Sequence, residues 1–251
     1  MKISETAAVI TGAASGLGEA TARQFASQGA KVTILDRDVE KGQAVAAEIG
    51  GTFVETDVTS DTSVQEAIAT AKSAMGKVTA AVNCAGIAPA SKTVGRDGAH
   101  PLGLFQKTID INLVGSFNVA RLAAEAMSKN DPDEDGARGV IINTASIAAM
   151  DGQKGQAAYA ASKGGIVGLS LPMARDLARS GIRVMAIAPG IFKTPMLIGL
   201  GQEIMDGLAK DVTCPPRLGE PNEYARLAQF IVECGYLNGE VIRLDGALRM
   251  Q

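Results

Sequence analysis

The stretch Ala7-Ala8-Val9-Ile10-Thr11-Gly12-Ala13-Ala14-Ser15-Gly16-Leu17-Gly18-Glu19 decides the fold. An apolar run at 7–10 breaks into a turn with glycines at 12, 16 and 18, and from Leu17 to Gln28 apolar residues recur at helical spacing. Strand, glycine turn and helix in that order set a helix N-terminus at a sheet edge. Its unpaired N–H groups and dipole attract phosphate, and glycine lets the backbone come close. The pattern points to a dinucleotide lying against Gly12, Ser15, Gly16, Leu17 and Gly18. A carboxylate, Asp36, ends the next strand-like run eighteen residues past Gly18. It can accept ribose hydroxyls and would repel a 2′-phosphate, so NAD is expected over NADP, with Arg37 as the opposing charge.

Outward from this unit, strand-like runs alternate with helical segments. The strands are AAVI (7–10), KVTIL (31–35), TFVET (52–56), VTAAVN (78–83), GVIINTA (139–145), IRVMAIAP (182–189) and GEVIRLD (239–245). Between them, Leu17–Gln28, Val39–Ile49, Ser63–Ala74 and Tyr159–Ser180 carry helical periodicity and much alanine. Right-handed crossovers then require a parallel sheet covered on both faces, which explains strands apolar nearly throughout. The expected fold is α/β, a single-domain, Rossmann-type doubly wound sheet over 1–251. Two stretches read as loops, Ala90–Gly103 and Lys129–Gly139, and the acidic run NDPDEDGARG within the second reads as a solvated surface. The segment from about 192 to 220 is expected to form a mobile helical lid over the substrate, although its apolar face suits a core helix as well.

Composition removes several classes of function. With 24 basic and 27 acidic residues the chain has a formal charge of −3, and nothing favours a nucleic acid or an anionic membrane as partner. No apolar run approaches the roughly 20 residues of a membrane span. No secretory signal is visible, and Cys84, Cys214 and Cys234 form no C-x-x-C pair. A soluble, cytoplasmic protein without a metal site is expected, an organelle matrix being compatible. His100 is the single histidine, in the loop-like GRDGAHPLG, so a Ser-His-Asp hydrolase has one poorly placed base.

The chemistry gathers elsewhere. Tyr159 and Lys163 stand four residues apart at the start of a helical segment, which puts phenol and ammonium on one face. An ammonium within roughly 4–6 Å, helped by a positively charged nicotinamide, would lower the phenol pKa by ~1–3 units from about 10. Thirteen residues before Tyr159, Ser146 follows the run GVIINTA, so its hydroxyl emerges at the carboxyl edge of the sheet, where open α/β sheets bind ligands.

Thr11-Gly12-x-x-x-Gly16-x-Gly18, Asn83-Cys84-Ala85-Gly86, Ser146 and Tyr159-x-x-x-Lys163, in that order, resemble the short-chain dehydrogenase/reductase family along essentially the whole chain. The resemblance implies an NAD-linked oxidoreductase that interconverts a secondary alcohol and a ketone. It makes Tyr159 the acid/base, Ser146 the group that orients the reacting oxygen, and Lys163 the ligand of the nicotinamide ribose. Asn112, in DINLVGS, would complete a tetrad by holding a water of a proton relay, and its place also suits a helix kink. Asp57 and Val58 would meet adenine, and Phe192 and Thr194 the nicotinamide. Cys84, where the family commonly has asparagine, and Gly86 would line the cofactor pocket, Cys84 not acting as a nucleophile. Three stretches, AVNCAGIAPASKT, GVIINTASIAAMDGQKGQAAYAASKGGIVG and LNGEVIRLDGALRM, are similar to members that oxidise 3-hydroxyacyl-CoA in fatty acid metabolism and are also described as acting on hydroxysteroids. That likeness makes Gln153 a polar substrate contact, offers Lys92 or Arg96 to CoA phosphates, and implies a homotetramer. A 3-oxoacyl reductase of the same mechanism and an NAD-bound scaffold subunit are the rival readings.

Overall fold

Glycine turns, polar caps and buried β-branched runs divide the chain into the alternating units expected. The computed structural model describes residues 1–250 apart from Asp97 and Leu200, and the backbone alone at Met196 and Ile204. Asp97 of the GRDGAHPLG stretch, Leu200 of the lid segment and Gln251 of the domain span lie outside the described residues.

The first half runs β1 (Ala7–Thr11), α1 (Gly16–Ser27), β2 (Lys31–Asp36), α2 (Val39–Ile49), β3 (Thr52–Glu55), α3 (Asp61–Met75) and β4 (Ala80–Asn83). A small hairpin, β5 (Val94–Gly95) and β6 (Gly98–Ala99), leads to α4 (Leu102–Ile109), a π turn (Asp110–Gly115) and α5 (Ser116–Met127). Then come β7 (Gly139–Thr144), the short α6 (Ala148–Asp151), α7 (Ala157–Leu177) and β8 (Ile182–Pro189). The chain closes with α8 (Pro195–Ile198), α9 (Gln202–Lys210), α10 (Pro221–Glu233) and β9 (Val241–Leu244). Local chemistry sets the ends. Asp38 and Ser60 accept backbone N–H bonds at the starts of α2 and α3, and Gly50 and Gly76 end those helices in the left-handed region.

All seven long strands pair in parallel, in the order β3-β2-β1-β4-β7-β8-β9. Strand order reverses between β1 and β4, and there the carboxyl ends splay into a crevice. Consecutive residues serve opposite faces: Ile142 and Ile10 pack with Phe25 and Tyr224 beneath α1 and α10, while Ile141 and Val9 pack with Val64, Val119 and Met127 beneath α3 and α5. The sheet is thus covered on both faces, as the apolar strands require.

Two local readings change, while the acidic loop stays exposed at 131–136 as expected. Ala90–Gly103 is not bare loop, because Gly98, at φ 111°, permits a tight turn that pairs β5 with β6, and Ser91 N–H donates to the Gly155 carbonyl at 2.9 Å. His100 is half-buried: Nδ1 lies 3.1 Å from the Ser91 carbonyl and the ring meets Phe105 edge-on. In the acidic loop, Asp133 gathers the N–H groups of Asp135 and Ala137 and pairs with the Met1 ammonium at 3.5 Å. No described helix is long and apolar enough to cross a membrane.

Ile142 is fully buried on a central strand. Ile142→Ala is expected to cost about 2–5 kcal/mol, read as a lower denaturant midpoint with an unchanged slope.

Candidate active site

The crevice holds a cavity of about 460 Å³ that runs from the glycine turn and Asp36 at one end to Ser146, Tyr159 and Lys163 at the other. Each wall follows from a strand ending at the carboxyl edge. β1 delivers the turn, β2 Asp36, β3 Asp57 and Val58, β4 Cys84 to Gly86, β7 Thr144 to Ser146, and β8 Pro189, Gly190, Phe192 and Thr194.

At the turn, a Cβ on Gly12 would sit 2.7 Å from Ala85 N, so the loops after β1 and β4 touch backbone to backbone. A Cβ on Gly18 would collide with the Gly12 carbonyl, so the helix start folds back on the turn. The Ser15 side chain does not cap α1. Among the described hydrogen bonds, the N–H groups of Gly16, Leu17 and Gly18 have no protein acceptor. Three unpaired donors at a helix start, facing a cavity, fit a pyrophosphate.

Asp36 is held rigidly: Oδ2 accepts Ala14 N–H at 2.9 Å and Oδ1 accepts Asp38 N–H at 3.0 Å. A carboxylate has about four acceptor positions, so capacity remains for ribose hydroxyls. The Thr59 hydroxyl and N–H hold the Asp57 carboxyl below its ordinary range, with a smaller contribution from Arg37.

At the other end, Ser146 Oγ accepts Ala148 N–H at 3.1 Å, which leaves its own proton free to donate. Lys163 is buried, donates to the Thr144 carbonyl at 2.7 Å, and lies 5.8 Å from the centroid of the Tyr159 ring. The two side chains face one another as helical spacing requires. Burial pulls the Lys163 amine down to about 8, with only a weak counterpull from Cys84. Burial pushes the Tyr159 phenol up, opposed by the Ser146 hydroxyl. Here the lysine does not have the acidifying effect expected of it. Its nitrogen lies against the ring, and desolvation of the phenolate dominates.

Asn112 sits in the π turn with its amide committed on both sides. Oδ1 accepts Ile87 N–H at 2.8 Å, and Nδ2 donates to the Ile87 carbonyl at 2.9 Å and to Ser162 Oγ at 3.0 Å. It clamps the loop after β4 to α7. Its carbonyl accepts the Ser116 hydroxyl at 2.8 Å. The same residue lies in the π turn that joins α4 to α5.

Of the residues expected in the site, Gln153 is exposed on the turn before α7 and does not line the cavity; its backbone N–H is taken by Gln156 Oε1 at 3.0 Å. Lys92 and Arg96 are exposed on the hairpin and do not line it either. Ile87, Ala88, Ile111 and Thr144 line the cavity without having been singled out. Their signal was adjacency to Gly86, Asn112 and Ser146. Among the described residues no cluster of histidine, cysteine and carboxylate side chains suits a metal ion.

The family described as short chain dehydrogenase matches residues 6–205. The chain is 57% identical over 248 residues to 3-hydroxyacyl-CoA dehydrogenase type-2 of Homo sapiens, covering 97% of this chain and 95% of the relative. It is 54% identical over 252 residues to the protein of that name in Drosophila melanogaster, covering 99% of each. The crystal structure of 3-hydroxyacyl-CoA dehydrogenase type-2 from Mycobacterium avium superposes with a TM-score of 0.95 at 46% identity, covering 99% of this chain and 98% of that one.

The lowered Lys163 value has a consequence for stability. Between pH 8 and 10.5 the unfolded chain holds this proton more tightly than the folded one, so the group penalises folding below about pH 8 and ceases to do so as pH rises to 10.5. Lys163→Met is expected to raise the unfolding free energy at pH 7 by up to about 3 kcal/mol. The gain should shrink across that window in denaturant titrations run at several pH values. A gain independent of pH would contradict the assignment.

Proposed function

This chain belongs to the short chain dehydrogenase family, and from that premise we propose that it oxidises a 3-hydroxyacyl-CoA to the 3-oxoacyl-CoA with NAD, reversibly. The observation that carries the reading is the single cavity that joins a phosphate-accepting turn to a serine, a tyrosine and a buried lysine. The substrate class rests on the relatives at 54–57% identity. The residues divide into roles. Gly16, Leu17 and Gly18 hold the pyrophosphate, Asp36 the adenosine ribose, Asp57 and Val58 the adenine edge, and Lys163 the nicotinamide ribose. Gly86, Phe192 and Thr194 flank the nicotinamide.

Ser146 donates to the substrate oxygen, its own oxygen being steadied by Ala148 N–H. Tyr159 takes the hydroxyl proton as the carbonyl forms and returns it in the reverse direction. A bound nicotinamide supplies the hydride acceptor, and its positive charge lowers the cost of a phenolate that burial opposes. Asn112 keeps the loop and α7 in register so that these groups converge. Burial of Lys163 makes its charge interactions stronger than they would be in water.

The segment after β8 serves as the substrate lid. Its ends close on one another, since Phe192 bridges Gly219, Lys193 N–H donates to the Gly219 carbonyl at 2.9 Å, and Lys193 pairs with Glu220. α8 and α9 project beyond that neck. Met205, Leu208 and Ala209 of α9 are half-buried opposite polar Gln202, Glu203 and Asp206, an amphipathic face suited to an acyl chain. Exposed Val114, Phe117 and Leu171, on the π turn, α5 and α7, support a homotetramer.

Tyr159→Phe is expected to lower turnover ~10²–10⁴-fold with dinucleotide affinity nearly unchanged, measured by steady-state rates and fluorescence titration of NADH. Retained turnover would remove Tyr159 from the chemistry, and an NAD-bound scaffold would keep its function in this variant. Asp36→Ala is expected to erode the preference for NADH over NADPH in initial rates. A wild-type preference for NADPH would overturn the cofactor assignment. Comparing acetoacetyl-CoA, a 3-oxoacyl carrier-protein thioester and a steroid ketone as acceptors tests the substrate class, and faster turnover of either alternative would reject it.

A further inference from the structure

Beneath the catalytic end lies a polar cluster that the chemistry above does not use. Cys84 at the end of β4, Thr144 at the end of β7 and Tyr224 on α10 meet in the core, Tyr224 being fully buried. The Tyr224 phenol and Thr144 hydroxyl are 2.7 Å apart, the Thr144 hydroxyl donates to Cys84 Sγ at 3.5 Å, and the Cys84 thiol donates to the Tyr224 oxygen at 3.7 Å. With the phenol donating to Thr144, each group gives one hydrogen bond and receives one. The ring is closed and fully satisfied, and in a dry interior such bonds reinforce each other.

Its one outlet is the Thr144 backbone, whose carbonyl receives the buried Lys163 ammonium at 2.7 Å. Among the described residues no carboxylate pairs with Lys163, so this carbonyl is the main acceptor of its charge. The titratable groups facing the amine are Tyr159 from α7 itself and Cys84 from β4, with Tyr224 of α10 behind the ring. The fold also fastens Tyr224. α10 starts with Pro221, and Glu223 accepts Glu220 N–H and both guanidinium arms of Arg217, which hold its carboxyl down at about 2. Burial pushes both the Cys84 thiol and the Tyr224 phenol up, so both stay neutral donors at physiological pH.

We propose that Tyr224 is a positioning residue for the catalytic lysine: through the Cys84–Thr144–Tyr224 ring it fixes the Thr144 carbonyl against the Lys163 ammonium and so keeps that amine charged beside Tyr159. The inference rests on the function proposed above, and it gives Cys84, which stands where the family commonly has asparagine, a place in the machinery as a hydrogen-bonding relay.

Tyr224→Phe deletes one oxygen and breaks the ring at its shortest bond. In the free protein, ¹³Cε-lysine NMR reads the Lys163 titration directly, with Lys163→Met identifying the resonance. The wild-type midpoint is expected near 8 and that of Tyr224→Phe about one unit lower, a tenfold change in the protonation equilibrium. In turnover, kcat should fall with its alkaline limb moved to lower pH by a similar amount, while KM for the dinucleotide changes little. Thr144→Val should reproduce both effects, and the double variant should be no worse than either single one, since both remove the same ring. Because the NMR reading needs neither dinucleotide nor substrate, it stands even if the proposed reaction fails. An unchanged Lys163 midpoint in Tyr224→Phe and Thr144→Val, with only a lower melting temperature, would reduce the ring to packing. Additive shifts in the double variant would overturn the relay.

Discussion

The structure is organised around a lysine charge taken out of water. A buried ammonium is costly, and Lys163 carries that cost in an amine brought down to about 8. What makes the burial tolerable is geometric. α7 aims the side chain back at the sheet, and β7 ends where its last carbonyl, that of Thr144, receives the nitrogen. Neither element alone could do this. A helix supplies the i, i+4 partner Tyr159 and no acceptor, and a strand supplies the acceptor and no cation. The crossover between β7 and β8 is therefore both the support of the sheet and the carrier of the acid/base pair.

The two ends of the cavity are built on opposite electrostatic terms. At the glycine turn the protein offers partial positive charge from unpaired N–H groups, and the adjacent Asp36 is held in place by Ala14 and Asp38 N–H bonds. At the catalytic end it offers one amine and two hydroxyls in an apolar setting. A phenol there resists ionisation because burial outweighs the help of Ser146. In the proposed reaction, a phenol reluctant to ionise in the free protein and helped by a cationic nicotinamide would tie proton removal to the presence of the hydride acceptor. This ordering follows from desolvation, and a more acidic tyrosine would forfeit it.

Much of this was legible in residues. The sheet could be read because β1, β4, β7 and β8 are apolar nearly throughout and buried at every position, a pattern that surface strands do not show. The glycine turn and Tyr159–Lys163 were legible because their spacing alone sets their direction. Other features depend on contacts between distant segments. The π turn at Asp110–Gly115 has no composition signal, and Asn112 becomes a clamp only because Ile87, 25 residues away, presents both backbone groups to it. Gln153 was offered as a substrate contact by the resemblance alone, and it is exposed on the turn before α7. α10, whose Tyr224, Ala225, Ala228 and Ile231 have plain helical spacing, carried a readable signal, whereas the link from Tyr224 to Thr144 spans 80 residues and did not.

The segment between β8 and α10 obeys a different logic from the rest. Here the chain leaves the sheet after β8 and returns at a neck where the Phe192 ring packs on the Gly219 backbone so closely that a Cβ would sit 2.8 Å away, and the N–H groups of Thr213 and Cys214 donate to the Gly246 carbonyl. The end of α9 is tied back as well, since Val212 packs with Ile147 and Leu248. The side chains at the sheet edge are thus set by strand ends, whereas α8 and α9 sit outside the sheet between anchored ends, and in the proposed function it is these helices that shape the substrate.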